Sequence, residues 1–296
     1  MPDPVRTFCV IGDPIGHTLS PLIHNAVFRR LDVPMEYEAV RVPPDRLAGF
    51  VNEARRTGRP GFNVTIPHKQ AVIPFLDGTR GDASRIGAVN TVAAVDGKLI
   101  GTNTDVDGCR AALARIGWEP GDGNVLLLGA GGAGRAAVRA LSLEGLKKFS
   151  VFETDRSRAE LLKTGLAEPM DMEMEILSSM DALESAVRQA GLLINATPVG
   201  MWPAVDALPL PDSGWLSPSG RVFDMVPNPV ETRLIREARK RGCRTVPGIV
   251  MLVAQALAAD TAWLRRPMPD GLLETCLTLC IQHLEAHGHA PDPHGR

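Results

Sequence analysis

The sequence has no long uninterrupted apolar stretch of the kind that a membrane-spanning helix needs. Its longest apolar run, residues 248–259, is interrupted by Gln255 and falls short of the roughly 18 residues that cross a bilayer. The apolar run near the start, within residues 7–12, is too short for the core of a signal peptide. We therefore expect no membrane partner and no export signal.

An excess of charge of one sign is also missing. The 32 Lys and Arg residues are offset by 34 Asp and Glu residues, giving a net charge of -2, and the basic residues are scattered. This balance provides no long-range attraction for nucleic acid or for an anionic lipid surface, so we expect neither as a partner. The five cysteines are an odd number without metal-binding spacing. We expect no metal site and a reduced, cytoplasmic protein.

What the sequence does have, from residue 124 onward, is a regular alternation of short apolar runs and helical segments. Such a pattern predicts a parallel, doubly wound sheet in a dinucleotide-binding domain over residues 107–247. The predicted strands are 124–129, 149–153, 174–177, 191–195, 220–224 and 244–246, and the predicted helices are 132–145, 157–164, 181–189 and 231–241.

The preceding part of the chain predicts a mixed α/β domain. Asp96-Gly97 is a strong two-residue hairpin signal, and an amphipathic helix follows at 105–117. Two last helices have no strand left to pair with and are expected to pack back on this domain, which then comprises 1–106 and about 248–290. The tail 288–296 is expected to be disordered. Strands are predicted at 7–12, 36–42, 61–65, 89–95 and 98–103, and helices at 21–31, 44–56, from about 68, 249–264 and 271–287.

A glycine-rich loop, G-A-G-G-A-G, directly follows the strand at 124–129 and opens the next helix. In this context Gly129 permits a tight turn, Gly131 lets a pyrophosphate approach the backbone, and Gly134 allows close helix packing. The helix N-terminus adds N–H groups and positive potential. A merely flexible turn would not need this strand and helix on either side. The predicted cofactor-binding residues of the loop are Gly129, Ala130, Gly131, Gly132, Ala133 and Gly134.

Glu153 ends the second strand of this domain, 24 residues after Gly129. An acidic side chain there commonly accepts hydrogen bonds from the adenosine ribose diol, which favours NAD over NADP because a 2'-phosphate would face a carboxylate. Arg156 and Arg158 are the counter-argument, since either could reach a phosphate from the same loop. A charged, solvated helix start is the alternative for all three residues.

Polar residues in the first domain cluster where strands meet helices, at 18–20, 63–69, 90 and 103–105. Eight successive motifs in these and later segments resemble, in order and over nearly the whole chain, those of the shikimate dehydrogenase family, which includes quinate/shikimate dehydrogenases. The motifs are GDPIGHTLSPLIHN, GFNVTIPHK, IGAVNT, NTDVDG, GAGGAGRA, INATPVGM, DMVPNP and GIVMLVAQ.

The resemblance implies a substrate domain, a Rossmann domain and the reversible oxidation of the ring C3 hydroxyl of shikimate or quinate to a ketone. It makes Lys69 the catalytic general acid/base and Asp105 its carboxylate partner. Residues that match those holding the ring hydroxyls are Thr65, Asn90 and Gln255, and Thr18 and Ser20 match the pair that holds the substrate carboxylate. The remaining residues expected to bind the cofactor are Arg158, Thr197, Met225, Gly248 and Met251. Core packing is the alternative for Met251.

These residue types suit the chemistry on physical grounds. A hydride leaves a carbinol carbon readily only if the hydroxyl proton departs too, so a general base is required. A lysine serves if burial lowers its pKa, and a nearby aspartate positions the ammonium group. Plainer roles compete: Lys69 as an exposed lysine, Asn90 as a turn residue, and Ser20 or Asp105 as a helix cap. Gln255, an amide in an apolar helix, must find polar partners.

Three departures from the family pattern matter: the first two leave the substrate open, and the third supports NAD. Thr18 stands where serine is common, Val226 stands where many members have tyrosine, and Glu153-Thr154-Asp155 replaces a common Asn-Arg-Thr. The expected partner is a small cyclic hydroxy acid, and a homodimer stays an open alternative. Besides an NAD-preferring shikimate or quinate dehydrogenase, the alternatives are a paralogue acting on a related acid such as an aminoshikimate and a dinucleotide-binding regulator without turnover.

Overall fold

The computed structural model describes residues 6–16 and 18–287. It divides the chain into two compact units, one formed by the chain up to Thr104 together with Val253 onward, the other by Asp105–Leu252. The tail predicted to be disordered, 288–296, lies outside the described residues. Within the described ranges, no helix is long and apolar enough to cross a membrane. All five cysteines are buried and in the thiol form.

The first unit is built on a mixed six-stranded sheet with the order β2-β1-β3-β5-β6-β4. Strand β1 pairs in parallel with β2 and β3, whereas β5 pairs antiparallel with β3 and with β6. Apolar side chains on one side of this sheet, including Ile11, Phe62 and Val92, pack against Val51 in a solvent-free core. The strands are β1 (Arg6–Gly12), β2 (Met35–Arg41), β3 (Gly61–Val64), β4 (Gly78–Thr79), β5 (Thr91–Val95) and β6 (Lys98–Thr102).

The helices of the first unit follow the predicted pattern with shifted ends. The segment predicted as helix 44–56 begins with a 3-10 turn, Pro44–Arg46. The helix predicted from about 68 lasts one turn because Pro74 follows and cannot donate a backbone hydrogen bond. Strand β4 and the helix after it were not predicted. The helices are α1 (Ser20–Arg30), α2 (Leu47–Thr57), α3 (His68–Ala71), α4 (Asp82–Ile86), α10 (Gly248–Leu264) and α11 (Leu272–His287). Of α10, only the part from Val253 onward belongs to this unit.

The second unit contains a parallel six-stranded sheet with the order β12-β11-β10-β7-β8-β9. The order reverses between β7 and β10, as in a doubly wound sheet, which confirms the predicted fold class. The strands are β7 (Asn124–Leu128), β8 (Lys148–Phe152), β9 (Glu173–Ile176), β10 (Ala190–Asn195), β11 (Arg221–Asp224) and β12 (Arg244–Pro247). The helices are α5 (Asp105–Ile116), α6 (Gly132–Leu143), α7 (Arg156–Leu162), α8 (Met180–Gln189) and α9 (Arg233–Lys240).

Candidate functional site

The glycine loop lies at the carboxyl end of β7, at the switch point of the sheet. Gly129 has a φ of +94°, and a methyl group added there would lie 2.9 Å from Thr197 Cγ2. A methyl group on Gly134 would lie 2.4 Å from the Gly129 carbonyl oxygen. Beside Gly131, by contrast, no atom of the described residues other than its chain neighbours lies within 4 Å of the added methyl position. The loop is therefore tight towards the protein and open towards its outer side, where the first turn of α6 presents N–H groups to a phosphate.

Glu153 is held beside this loop by backbone donors. Its Oε2 accepts from the N–H of Ala130 at 2.9 Å, and its Oε1 accepts from the N–H of Asp155 at 3.0 Å. Partial burial opposes ionisation, but these bonds, with the Thr154 hydroxyl and the charge of Arg158, hold the pKa of Glu153 below its ordinary value. A fixed, ionised carboxylate therefore stands next to the glycine loop. Arg158 itself is exposed and lies 3.4 Å from Asp155 Oδ2.

A second loop comes close to the glycine loop at the end of β10. Asn195 Oδ1 accepts from the Thr197 hydroxyl at 2.6 Å and from the Thr197 N–H at 3.1 Å. The carbonyl oxygen of Asn195 accepts from the N–H of Met225 at 2.9 Å. Gly248 packs directly on this segment, since an added methyl group would lie 2.5 Å from the Met225 carbonyl. Met251 is buried, with its sulfur 3.9 Å from Cys109 Sγ.

Asp224, the last residue of β11, connects these segments by hydrogen bonds. Its Oδ1 accepts from Asn195 Nδ2 at 2.9 Å and from the Val226 N–H at 3.1 Å, while its Oδ2 accepts from the Thr232 hydroxyl. Burial raises the pKa of Asp224 to about 6, although the three donors favour the ionised form. The sequence-based reasoning missed this residue. The available signal was an aspartate at the carboxyl end of a buried strand.

In the first unit, Asn90 is the centre of a buried polar cluster. Its Nδ2 donates to Thr104 Oγ1 at 2.9 Å and to Gln255 Oε1 at 3.1 Å. Its Oδ1 accepts from the Thr104 N–H at 2.7 Å and from the Thr91 hydroxyl at 2.9 Å. All four residues are buried. The structure thus brings together two of the residues predicted to hold ring hydroxyls, and Gln255 finds the polar partners that its place in an apolar helix requires.

Thr18 and Ser20 also lie together. Thr18 Oγ1 donates to Ser20 Oγ at 3.1 Å and accepts from the Ser20 N–H at 3.2 Å. The alternative that Ser20 is only a helix cap is wrong, because the N-cap residue of α1 is Leu19. Ser20 is instead the first helical residue, with its hydroxyl beside that of Thr18. Two hydroxyl groups on one short segment can bind a carboxylate.

Lys69 lies on α3, just after the end of β3. Its side chain is half-buried, and its carbonyl oxygen accepts from the Val89 N–H at 2.7 Å. Thr65 precedes it in the same turn and packs on β1, since a methyl group added at Gly12 would lie 2.5 Å from Thr65 Cγ2. Asp105 is buried at the first residue of α5, in the second unit. The two predicted catalytic residues thus belong to different compact units.

Two further polar residues support this half of the site, and neither was assigned a role from the sequence. Tyr37 Oη donates to Asn63 Oδ1 at 2.5 Å, and Asn63 Nδ2 donates to Thr91 Oγ1 at 3.0 Å. Tyr37 is the only tyrosine in the chain. A buried tyrosine needs a partner for its hydroxyl, which was the available signal.

The family model for the shikimate dehydrogenase substrate binding domain matches residues 10–92. A curated relative, shikimate dehydrogenase (NADP(+)) from Symbiobacterium thermophilum, is 39% identical over 282 residues, covering 94% of this chain and 96% of the relative.

Two solved structures have folds similar to that of this chain. A shikimate 5-dehydrogenase from Listeria monocytogenes, in complex with shikimate and NAD, aligns with a TM-score of 0.84 and 31% identity over 92% of this chain and 96% of its own. A quinate dehydrogenase from Corynebacterium glutamicum, in complex with NAD, aligns with a TM-score of 0.83 and 29% identity over 95% of this chain and 100% of its own. By sequence and by fold, this chain belongs to the shikimate dehydrogenase family.

Proposed function

We propose that this protein catalyses the reversible, nicotinamide-dependent oxidation of the C3 hydroxyl of shikimate or quinate. The observation that carries this proposal is the buried cluster in which Asn90, Thr104 and Gln255 meet from three separate parts of the chain. A cluster of amides and hydroxyls recognises a polyhydroxylated ring by directional hydrogen bonds and rejects ligands that leave its groups unpaired. The relatives named for shikimate and quinate support the same substrate class.

In this proposal Lys69 is the general base that takes the proton from the C3 hydroxyl, and its ammonium form returns the proton in the reverse direction. Asp105 favours and orients that ammonium group. The bound dinucleotide supplies the hydride acceptor. Thr65, Asn90 and Gln255 orient the ring hydroxyls, and Thr18 and Ser20 bind the carboxylate.

The cofactor-binding role proposed for the second unit divides between four segments. Residues 129–134 hold the pyrophosphate, because the space beside Gly131 is open and the backbone of α6 begins there. Thr197, Met225, Gly248 and Met251 lie on the segments proposed to face the nicotinamide half. Asn195 and Asp224 hold two of these segments in place.

We further propose that NAD is preferred over NADP, against the NADP(+) in the name of the Symbiobacterium relative. Support comes from Glu153, whose carboxylate is ionised and fixed beside the glycine loop. A carboxylate at this place accepts from a ribose diol and repels a 2'-phosphate. The two arginines that would favour a 2'-phosphate each lie beside a carboxylate, Arg156 3.4 Å from Glu160 Oε1 and Arg158 3.4 Å from Asp155 Oδ2.

A steady-state assay of shikimate, quinate and related cyclic acids with each dinucleotide tests both proposals. We expect turnover with at least one of the acids and a higher kcat/KM with NAD. If none of the cyclic hydroxy acids is turned over, the result contradicts the proposed activity and favours the dinucleotide-binding regulator without turnover. The oligomeric state, monomer or homodimer, is measured by light scattering on the same preparation.

Glu153→Gln gives the sharper test of the cofactor preference. Removal of the charge should lower the NAD to NADP ratio of kcat/KM by about tenfold, the effect of about 1.4 kcal/mol. Glu160→Gln is the matched control, because Glu160 is an acidic residue of α7 that pairs with Arg156 on the helix surface. An equal ratio in wild type and Glu153→Gln would remove Glu153 from this role.

A further inference from the structure

A buried histidine and aspartate in the first unit form a hydrogen-bonded pair that the proposed reaction does not use. His24 lies on α1 and Asp260 on α10, and neither side chain is exposed to solvent. His24 Nδ1 lies 2.7 Å from Asp260 Oδ1. The two residues are 236 positions apart in the sequence, so the hydrogen bond joins the two separate stretches of chain that form this unit.

Stability alone does not account for the His24–Asp260 pair. Burial is costly for a carboxylate, and it raises the pKa of Asp260 above its ordinary value although His24 opposes that shift. Among the described residues, neither Asp260 Oδ2 nor His24 Nε2 has a hydrogen-bond partner. Two apolar side chains of similar volume would fill the same space at equal or lower cost. What a directed hydrogen bond adds to apolar packing is a defined distance between the two helices.

Both members of the pair are held in orientation by aromatic rings. The His24 ring stacks on the Tyr37 ring, with centroids 4.1 Å apart and planes inclined by 17°. Trp263 follows Asp260 on α10, and its ring centroid lies 5.4 Å from that of His24. The indole N–H of Trp263 donates to the Val92 carbonyl at 3.0 Å. Helix α10 is therefore fixed to β5 by Trp263 and to α1 by Asp260.

The same two helices carry residues of the proposed substrate site. Ser20 lies one helical turn before His24 on α1, so the two side chains share one side of the helix. Gln255 precedes Asp260 on α10, and its Oε1 accepts from Asn90 Nδ2 at 3.1 Å. Since an α-helix holds residues one or two turns apart at a fixed spacing, a movement of α1 relative to α10 would displace Ser20 from Gln255.

We propose that His24 and Asp260 are positioning residues that fix α1 relative to α10 and thereby set the spacing between the Ser20 hydroxyl and the Gln255 amide. The bound acid extends between these two groups, with its carboxylate at Ser20 and its ring hydroxyls at Gln255. The inference rests on the proposed function, since it takes Ser20 and Gln255 as substrate contacts. His24 and Asp260 themselves do not touch the substrate and act through their helices.

Asp260→Leu removes the hydrogen bond and nearly keeps the volume of the side chain. We expect the KM for the cyclic acid to rise about tenfold, equivalent to about 1.4 kcal/mol, because the two ends of the acid no longer fit both groups together. The kcat should change less, and the KM for the dinucleotide should not change. Asp260→Asn keeps an oxygen that accepts from His24 Nδ1, so its KM for the acid should stay close to that of wild type.

The double variant His24→Phe with Asp260→Leu separates positioning from stability. Asp260→Leu alone leaves His24 Nδ1 buried without its acceptor and should lower the free energy of unfolding. The double variant removes both polar groups and keeps a ring against Tyr37, so much of that stability should return. Its KM for the acid should nevertheless stay raised, because the hydrogen bond between the helices is still missing. Urea denaturation and steady-state kinetics on the same preparations measure the two quantities.

Val51→Ala is the matched control for a simple loss of stability. Val51 is buried in the core of the same unit and has no role in the proposed site. Its truncation should lower the free energy of unfolding and leave the KM for the acid unchanged. A KM as high in Val51→Ala as in Asp260→Leu would overturn the proposal, because any loss of stability would then produce the effect.

Failure of this inference is distinguishable from failure of the proposed function. A wild-type enzyme that turns over neither shikimate nor quinate contradicts the proposed function. An active wild type whose KM for the acid is unchanged by Asp260→Leu, or by the double variant where Asp260→Leu does not fold, overturns the role of the pair alone. A double variant whose KM returns to the wild-type value together with its stability overturns it as well.

Discussion

The two compact units hold their candidate site residues by different means. In the first unit, Asn90, Thr104 and Gln255 are fixed by hydrogen bonds between buried side chains. In the second unit, the glycine loop is shaped by close backbone contacts at Gly129 and Gly134. One site therefore depends on polar atoms and the other on the absence of side-chain atoms.

The difference corresponds to what each site is proposed to recognise. A ring with several hydroxyls is distinguished from similar rings only by directional hydrogen bonds, which need side chains of defined length and orientation. A pyrophosphate needs mainly close N–H groups and positive potential, which a helix N-terminus provides. Loss of a polar atom should therefore damage the first unit, whereas an added methyl group should damage the second.

The largest expected effect separates chemistry in the first unit from cofactor binding in the second. Lys69→Ala should lower kcat by about 10² or more through loss of a general base, while the Kd for the dinucleotide stays nearly unchanged. Single-turnover kinetics and a fluorescence titration with the dinucleotide measure the two quantities. Lys98→Ala, an exposed lysine of the β5–β6 hairpin, is the control. An unchanged kcat would exclude Lys69 as the base.

The sequence predicted the helices and strands of each unit better than the contacts that those helices and strands make with one another. Strands such as β7 and β10 are continuous apolar runs bounded by loop residues, so their pattern sufficed. Strand β4 has two residues, Gly78 and Thr79, and such a short element carries no periodicity. Its pairing with β6 depends on tertiary structure.

The same limit applies to the candidate sites. The ring-hydroxyl residues were identified through motifs, and Gln255 through its polarity in an apolar helix. Tyr37 was missed because its acceptor, Asn63, lies 26 residues away on a different strand. Asp224 was missed because its partner Asn195 lies 29 residues away. Hydrogen bonds between distant residues depend on strand order, which local patterns do not encode.

The next effect in size concerns Asp224, a buried ionisable side chain that holds the loops after β10 and β11. Its raised pKa, about 6 against an ordinary 3.8, means that the folded state holds the proton more tightly than the unfolded state. The stability it contributes is complete below about pH 4 and is lost as the pH rises through about 6. The total change is about 3 kcal/mol in the free energy of unfolding.

Asp224→Asn tests this dependence. The free energy of unfolding of wild type minus that of the variant should fall between about pH 4 and pH 6 and be constant above, as measured by urea denaturation at each pH. Asp212→Asn is the control, because Asp212 is exposed and accepts from the Gly214 N–H at 2.7 Å. A difference that rises with pH over this range would contradict the raised pKa.

The smallest expected effect tests whether the glycine loop is open only on its outer side. Gly131 has an extended conformation, with φ at -76°, and apart from its chain neighbours no described residue has an atom within 4 Å of an added methyl group. Gly131→Ala should therefore fold with nearly wild-type stability but weaken dinucleotide binding about tenfold, since the methyl group occupies the space proposed for the pyrophosphate. The KM for the cyclic acid should not change.

Gly134→Ala is the matched comparison, because the same methyl group there would lie 2.4 Å from the Gly129 carbonyl oxygen. That variant should lose stability as well as dinucleotide affinity, since α6 must move away from β7 to accept it. Thermal unfolding and a dinucleotide titration on both variants give the answer. Equal losses of stability in the two variants would mean that the backbone at Gly131 is as tightly enclosed as at Gly134, and dinucleotide affinity unaltered by Gly131→Ala would place the pyrophosphate elsewhere.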